Sequence, residues 1–133
     1  MREIIFKAKR LDNGEWVEGN LITNERNENQ KYIGYIFDER NGVIEDFDLV
    51  EVIPDTICQY TGLVDKNGKK IWENDIVRNK KGDIGVAQWF EEHAAFMIWN
   101  KTKNCVCYLA ENDFSKIEVN GNVFDNADLL EVE

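Results

Sequence analysis

The 133-residue chain has little proline, little histidine and no long apolar run. Its one proline, Pro54, stands against nine glycines, which excludes a proline-rich linker and predicts turns made by glycine. Because no run of about 18 apolar residues occurs, no membrane-spanning helix is expected. The first ten residues also lack the apolar segment of a signal peptide, so we expect a cytoplasmic protein without a membrane partner.

Positive charge is also scarce. The chain has 26 acidic and 16 basic residues, a formal net charge of −10, which argues against a strongly basic nucleic-acid-binding protein. The charge is uneven, because basic side chains outnumber acidic ones in residues 64–83, whereas residues 38–55 are acidic apart from a single arginine. Unlike patches of this kind can bring two subunits together.

The three cysteines, Cys58, Cys105 and Cys107, do not have the spacing of a disulfide framework. On a strand, Cys105 and Cys107 would share one face, and His93 would add a third metal ligand, but a structural zinc site uses four. We therefore interpret the cysteines as reduced core thiols and predict neither a metal site nor a cofactor.

The only histidine, His93, follows two glutamates between two apolar segments, which predicts a surface turn. A histidine beside carboxylates can act as a general base, but no nucleophile motif such as Gly-x-Ser-x-Gly accompanies it. We therefore predict no catalytic residue and a protein that is not an enzyme.

Glycine turns separate short runs of β-branched and aromatic residues, which is typical of an antiparallel, mainly β fold with little helix. These turns are expected at Gly14, Gly42, Gly68, Gly82 and Gly121. We predict N-terminal hairpins with a connecting segment in residues 1–63 and a C-terminal unit in residues 64–133, although the two could form one intertwined domain. Only residues 111–115 and 126–130 favour a short helix.

Two predicted strands are apolar on both faces. In Lys31–Phe37 and in Ala94–Trp99, alternate residues on either side are apolar or aromatic, so both faces need cover. A second sheet or a second subunit can supply that cover, and we interpret the pattern as a sign of a homo-oligomer.

The stretch Asp75–Trp89 consists of an Asp-Ile-Val strand, a basic glycine turn and an Ile-Gly-Val strand, a pattern that favours a small SH3-like β-barrel in the C-terminal unit. Such barrels can bind nucleic acid. In that alternative, Arg78, Lys80 and Lys81 would contact phosphates, and Trp72 would stack on a base.

Three stretches resemble the YopX family of phage and prophage proteins, namely Pro54–Val77, the opening Arg2–Ala8 with Trp16–Gly19, and the close Val119–Leu130. The resemblance covers essentially the whole chain. It implies a small, mainly β protein carried by phages and prophages of Gram-positive bacteria. It implies no established activity, so it assigns no catalytic residue.

A functional interpretation of the Pro54–Val77 signature places six of its side chains around one cleft between the two units. These candidates are Tyr60, Thr61, Asp65, Trp72, Glu73 and Asp75. We expect a phage accessory protein that self-associates and acts through a host or phage protein partner. Two alternatives stay open, a nucleic-acid-binding module and a small enzyme built around the cleft.

Overall fold

The computed structural model describes residues 2–40, 42–108 and 116–131, with the backbone alone described at residues 37–40, 43–45 and 108. The chain divides into two compact units, residues 1–59 and 60–133. The sequence places the boundary after residue 63, which stays a prediction. The helix predicted at residues 111–115 lies outside the described residues.

The described residues are mainly β, which confirms the predicted fold class. Their strands are β1 Phe6–Lys9, β2 Trp16–Thr23, β3 Lys31–Arg40, β4 Val43–Val52, β5 Cys58–Val64, β6 Lys70–Trp72, β7 Asp75–Arg78, β8 Ile84–Phe90, β9 Ala95–Asn100, β10 Cys105–Tyr108 and β11 Glu118–Asn122. Short 3-10 segments lie at Pro54–Thr56, Glu91–His93 and Ala127–Leu130. In the part of the chain that the structure describes, no helix is long and apolar enough to cross a membrane.

In the first unit, β4, β3, β2 and β1 form an antiparallel sheet in that order, and the start of β5 pairs with β1. Its core contains Ala8, Ile33 and Val52, each almost fully buried. The alternation of side chains along β1 explains why Ala8 belongs to this core. Ala8 points inward, whereas Lys7 and Lys9 on the opposite face place their ammonium groups over the Trp16 ring at 4.7 and 5.5 Å.

Gly19 in β2 brings two backbones into close contact. A Cβ atom at this position would collide with the carbonyl oxygen of Gly34 in β3, and would lie 3.0 Å from the Cγ2 atom of Ile33. Glycine is therefore required by the space between the strands, because only a residue without a side chain permits this approach.

In the second unit, five antiparallel strands lie in the order β10-β9-β8-β7-β11, and β5 pairs with β6. The core is made by six buried side chains, Ile71, Val77, Ala87, Ile98, Ile117 and Val119. No closed barrel is found among the described strands, so the SH3-like barrel predicted for residues 64–133 is not confirmed.

The C-terminal end of the second unit differs from the sequence-based expectation. Gly121 was expected to make a hairpin turn, but β11 runs through it and pairs with β7, with a register shift between Val119 and Gly121. The short helix predicted at residues 126–130 is a 3-10 segment. The Asn126 side chain does not cap that segment; its Oδ1 atom accepts a hydrogen bond from the Asn122 backbone N–H at 3.1 Å.

Candidate functional site

An apolar surface covers one face of the β2-β3-β4 sheet in the first unit. Ile22, Ile36, Phe47 and Leu49 are exposed there, and Phe47 keeps 65% of its surface in water. The register explains the grouping, because Ile36 lies opposite Phe47 and Leu49 lies opposite Gly34. Cross-strand partners point to the same side of a sheet. We call these four side chains the apolar face.

Gly34 makes the apolar face continuous. A Cβ atom built at Gly34 would lie 3.1 Å from the Cδ1 atom of Ile22 and 3.6 Å from the Cδ1 atom of Leu49. The two side chains therefore lean over the bare backbone of the middle strand from both neighbours. The result is one apolar patch across three strands rather than scattered apolar residues.

The two strands predicted to need cover on both faces differ in the structure. In β9, Met97 on one face and Ile98 on the other are both buried within the chain, so this strand does not need a second copy. In β3, Ile33 is fully buried, whereas Ile36 on the opposite face is half exposed. Of these two strands, only β3 therefore keeps an apolar face that a second copy could cover.

A shallow hollow of about 340 Å³ lies in the first unit beside the β1–β2 turn. Arg10 is the one cation among its described lining residues, and it donates hydrogen bonds to both carboxylate oxygens of Asp12, at 3.0 and 2.9 Å. These hydrogen bonds hold the pKa of Asp12 below its ordinary value. Because the pair is exposed, it contributes little to stability.

Three of the six predicted cleft residues bond to the backbone of the second unit. Asp65 is buried, and its carboxylate accepts hydrogen bonds from the backbone N–H groups of Asn67, Lys69 and Val119 at 2.8 to 2.9 Å. Asp75 is buried and accepts a hydrogen bond from the backbone of the neighbouring Trp72. The Thr61 hydroxyl donates to the Ile71 carbonyl oxygen at 2.7 Å.

The aromatic members of the predicted cleft are packed together. The rings of Tyr60 and Trp72 are 5.6 Å apart, and both side chains are buried. Trp72 therefore cannot stack on a base, and the predicted basic and aromatic surface is wrong in its aromatic part. Glu73 is half exposed. A cleft lined by these residues stays a prediction.

A basic groove lies on the second unit. One hollow of about 490 Å³ is lined by Lys80, Lys81, Lys103 and Lys116, together with Asn79 and the buried Asp83. A second hollow of about 320 Å³ is lined by Lys66, Arg78 and Glu118, and shares Asn79, Lys80 and Lys116 with the first. The structure therefore places Arg78, Lys80 and Lys81 together and adds three lysines that sequence reasoning missed.

Asp83 is an acidic residue of the first hollow. It accepts hydrogen bonds from the side-chain amides of Asn100 and Asn79, each at 3.2 Å, and lies 3.5 Å from the Lys103 ammonium. The Asn100 and Asn79 bonds, with the charge of Lys103, hold the pKa of Asp83 below its ordinary value although burial opposes them. The carboxylate is therefore ionised and fixed by its neighbours.

The cysteines and the histidine complete the comparison with the sequence. Cys58 is buried, but Cys105 is exposed and Cys107 is half exposed, so the core-thiol interpretation is wrong for this pair. Their sulfurs lie 3.9 Å apart on one face of the strand.

His93 lies on an exposed turn, as predicted. Among the described residues, no group of three or more metal-ligating side chains is placed to hold an ion.

A comparison with models of known protein families shows to which family the chain belongs. The family model described as YopX protein matches residues 5–131. The chain belongs to the YopX family. No curated protein matches it.

Membership of the YopX family agrees with the resemblance seen in the sequence, and the structure explains part of the Pro54–Val77 signature. Asp65 and Gly68 form the turn between β5 and β6, where the Gly68 N–H donates to the Asp65 carbonyl oxygen and φ at Gly68 is 78°. This positive φ favours glycine. In this YopX family member, much of the signature therefore serves the fold.

Proposed function

We propose that this chain is a phage or prophage accessory protein of the bacterial cytoplasm that acts through protein contacts, and that it self-associates through the apolar face. The observation that supports the proposal is the continuous exposure of Ile22, Ile36, Phe47 and Leu49 on one side of a sheet. Each large apolar side chain moved fully out of water contributes roughly 1.5–3 kcal/mol. A chain that keeps four such side chains exposed gains from covering them.

The occupant that we assign to the apolar face is a second copy of the same chain. A two-fold contact presents the same patch from both subunits, so an apolar patch meets an apolar patch without any further partner. Sheets pack face to face at about 10 Å, which suits a surface made of one broad sheet face. The net charge of −10 on each copy opposes this contact.

Self-association should therefore strengthen as salt rises. Salt screens the repulsion between two acidic chains, since the screening length falls from about 30 Å at 0.01 M to about 10 Å at 0.1 M. We expect light scattering to give a multiple of the 15.5 kDa chain mass at high micromolar concentration, with more oligomer at 0.5 M salt than at 0.05 M. A 15.5 kDa monomer under both conditions would contradict the proposal.

The apolar face can be tested directly with the double variant Phe47→Asp/Leu49→Asp. Both side chains are exposed, so the change should leave the fold intact and shift the measured mass to that of one chain. The matched control is Val64→Asp/Val106→Asp, which adds the same two charges at apolar positions that are each 43% exposed in the second unit. An unchanged mass in the first variant, or dissociation of both, would rule out this surface.

A further inference from the structure

The basic groove concentrates positive charge on an acidic protein. Among the described residues, six cations line its two adjoining hollows, and they come from separate parts of the second unit: Lys66, Arg78, Lys80, Lys81, Lys103 and Lys116. Two carboxylates, Asp83 and Glu118, lie among them. The net charge of these described lining residues is therefore positive, although the whole chain carries −10.

Five of the six cations divide into a paired and an unpaired group. The Lys103 ammonium lies 3.5 Å from Asp83, and the Lys66 ammonium lies 3.2 Å from Glu118. Arg78, Lys80 and Lys81 make no ion pair with any carboxylate that the structure describes. These three side chains hold charge that is available to an anionic ligand.

The turn that carries Lys80 and Lys81 is held in a defined shape. The Asn79 side-chain oxygen accepts hydrogen bonds from the backbone N–H groups of Lys81 and Asp83, at 3.0 and 2.9 Å. The Gly82 N–H donates to the Asn79 carbonyl oxygen, and the Asp83 carboxylate binds the Asn79 amide. The fold thus fixes the backbone that presents two neighbouring cations to the groove.

We propose that this groove binds the phosphate backbone of a single-stranded nucleic acid. Two features favour a chain of phosphates over one isolated phosphate: the hollows adjoin each other through Asn79, Lys80 and Lys116, and cations line both. The described lining supplies cations for phosphates, so the contacts that we propose carry no readout of the bases. Binding is therefore independent of base sequence.

The groove favours a single strand over a duplex. The two hollows, of about 490 and 320 Å³, are recesses that a flexible single strand can follow, whereas a duplex is stiff over about 150 base pairs and does not bend into them. A single strand can also bend to follow the lysines. Preference for single strands over duplex is thus part of the proposal.

Binding is tested by the fluorescence anisotropy of a labelled 12-nucleotide oligothymidine mixed with the full-length protein. For single strands, the logarithm of the affinity falls by about 0.7 for each neutralised phosphate per logarithm of salt concentration. If the three unpaired cations are engaged, the affinity should fall by about 20-fold between 50 and 200 mM salt. Equal affinity for a duplex of the same length, or for polyglutamate, would overturn the proposal, as would the absence of binding at 50 mM salt.

The double variant Lys80→Ala/Lys81→Ala removes the two cations of the turn. We expect binding at 50 mM salt to weaken by at least about tenfold and the salt slope to become shallower by about 1.4. Arg2→Ala/Arg26→Ala removes the same charge from exposed positions in the first unit and should leave both values unchanged. Equal effects of the two double variants would show that only net charge matters and would reject the groove.

Glu118→Gln should strengthen binding, whereas the lysine double variant should weaken it. This half-exposed side chain pairs with Lys66, so removing its charge frees one more cation at the groove. We expect the affinity for the oligothymidine to rise by about threefold at 50 mM salt, with an unchanged thermal midpoint. No gain in affinity would show that the second hollow is not part of the binding surface.

Discussion

Replacing Asp65 with alanine is expected to lower the free energy of unfolding of the second unit by about 3 kcal/mol. Truncation leaves three backbone N–H groups without their acceptor, those of Asn67, Lys69 and Val119. Bonds to a charged acceptor contribute more than neutral ones, and unsatisfied buried donors are costly. Because Asp65 is only 5% exposed, water cannot easily replace the carboxylate. Urea denaturation followed by circular dichroism measures the loss.

The matched control for this change is Asp128→Ala. Asp128 is exposed in the last 3-10 segment, and its replacement should change the free energy of unfolding by no more than about 0.5 kcal/mol. Asp65→Asn should fall between the two, because the amide keeps one acceptor oxygen but loses the charge. Equal losses for Asp65→Ala and Asp128→Ala would mean that the turn does not depend on the carboxylate.

The same carboxylate should make stability depend on pH. Burial raises the pKa of Asp65, but the N–H groups of Val119, Lys69 and Asn67 outweigh it and hold the pKa below the ordinary value of 3.8. A lowered pKa means that the contribution is complete above the unfolded value and is lost as pH falls through the folded value. We therefore expect wild-type stability to fall more steeply below pH 4 than that of Asp65→Ala. Parallel pH curves would contradict this.

Gly19→Ala is expected to cost about 3 kcal/mol in the first unit. The added methyl group would overlap the carbonyl oxygen of Gly34, which belongs to the backbone of the neighbouring strand and cannot rotate away. The strands must separate, and the pairing of Asn20 with Gly34 must weaken. The measurement is the urea midpoint, together with amide hydrogen exchange in β2 and β3, which should accelerate.

Gly14→Ala is the control that separates the effect of steric crowding from the effect of backbone conformation. Gly14 has a φ of 73° but open space around the position of a Cβ atom, so this change should cost only about 1–2 kcal/mol for the left-handed conformation. Greater damage from Gly14→Ala than from Gly19→Ala would show that the β2–β3 approach is not a tight constraint.

The sequence predicts the fold class well because its signals are local. An Asn-Gly pair such as Asn67-Gly68 specifies a turn from two adjacent residues, and the alternation of Lys7, Ala8 and Lys9 specifies which face of a strand is buried. Local patterns do not determine how distant chain segments meet. Whether the strands of the second unit close into a barrel depends on pairings between residues far apart in sequence, and alternation alone cannot determine them.

The candidate sites show the same limit. Arg78, Lys80 and Lys81 are close in sequence, so they could be grouped by inspection, whereas Lys66 and Lys116 join them only through folding. On the apolar face, the spacing of Phe47 and Leu49 indicates a shared side, but their exposure depends on what covers the sheet. The sequence predicts Asp65 as a cleft residue, and it cannot distinguish a carboxylate that binds backbone from one that faces a ligand.

The backbone bonds of Asp65 have a consequence for comparing members of this family. Part of the Pro54–Val77 signature specifies the turn between β5 and β6, where the Asp65 carboxylate accepts hydrogen bonds from three backbone N–H groups. The apolar face and the Lys80–Lys81 turn both lie outside that stretch. A change in the apolar face or in the Lys80–Lys81 turn would therefore leave this signature intact, so family members can share the signature and differ in their partners.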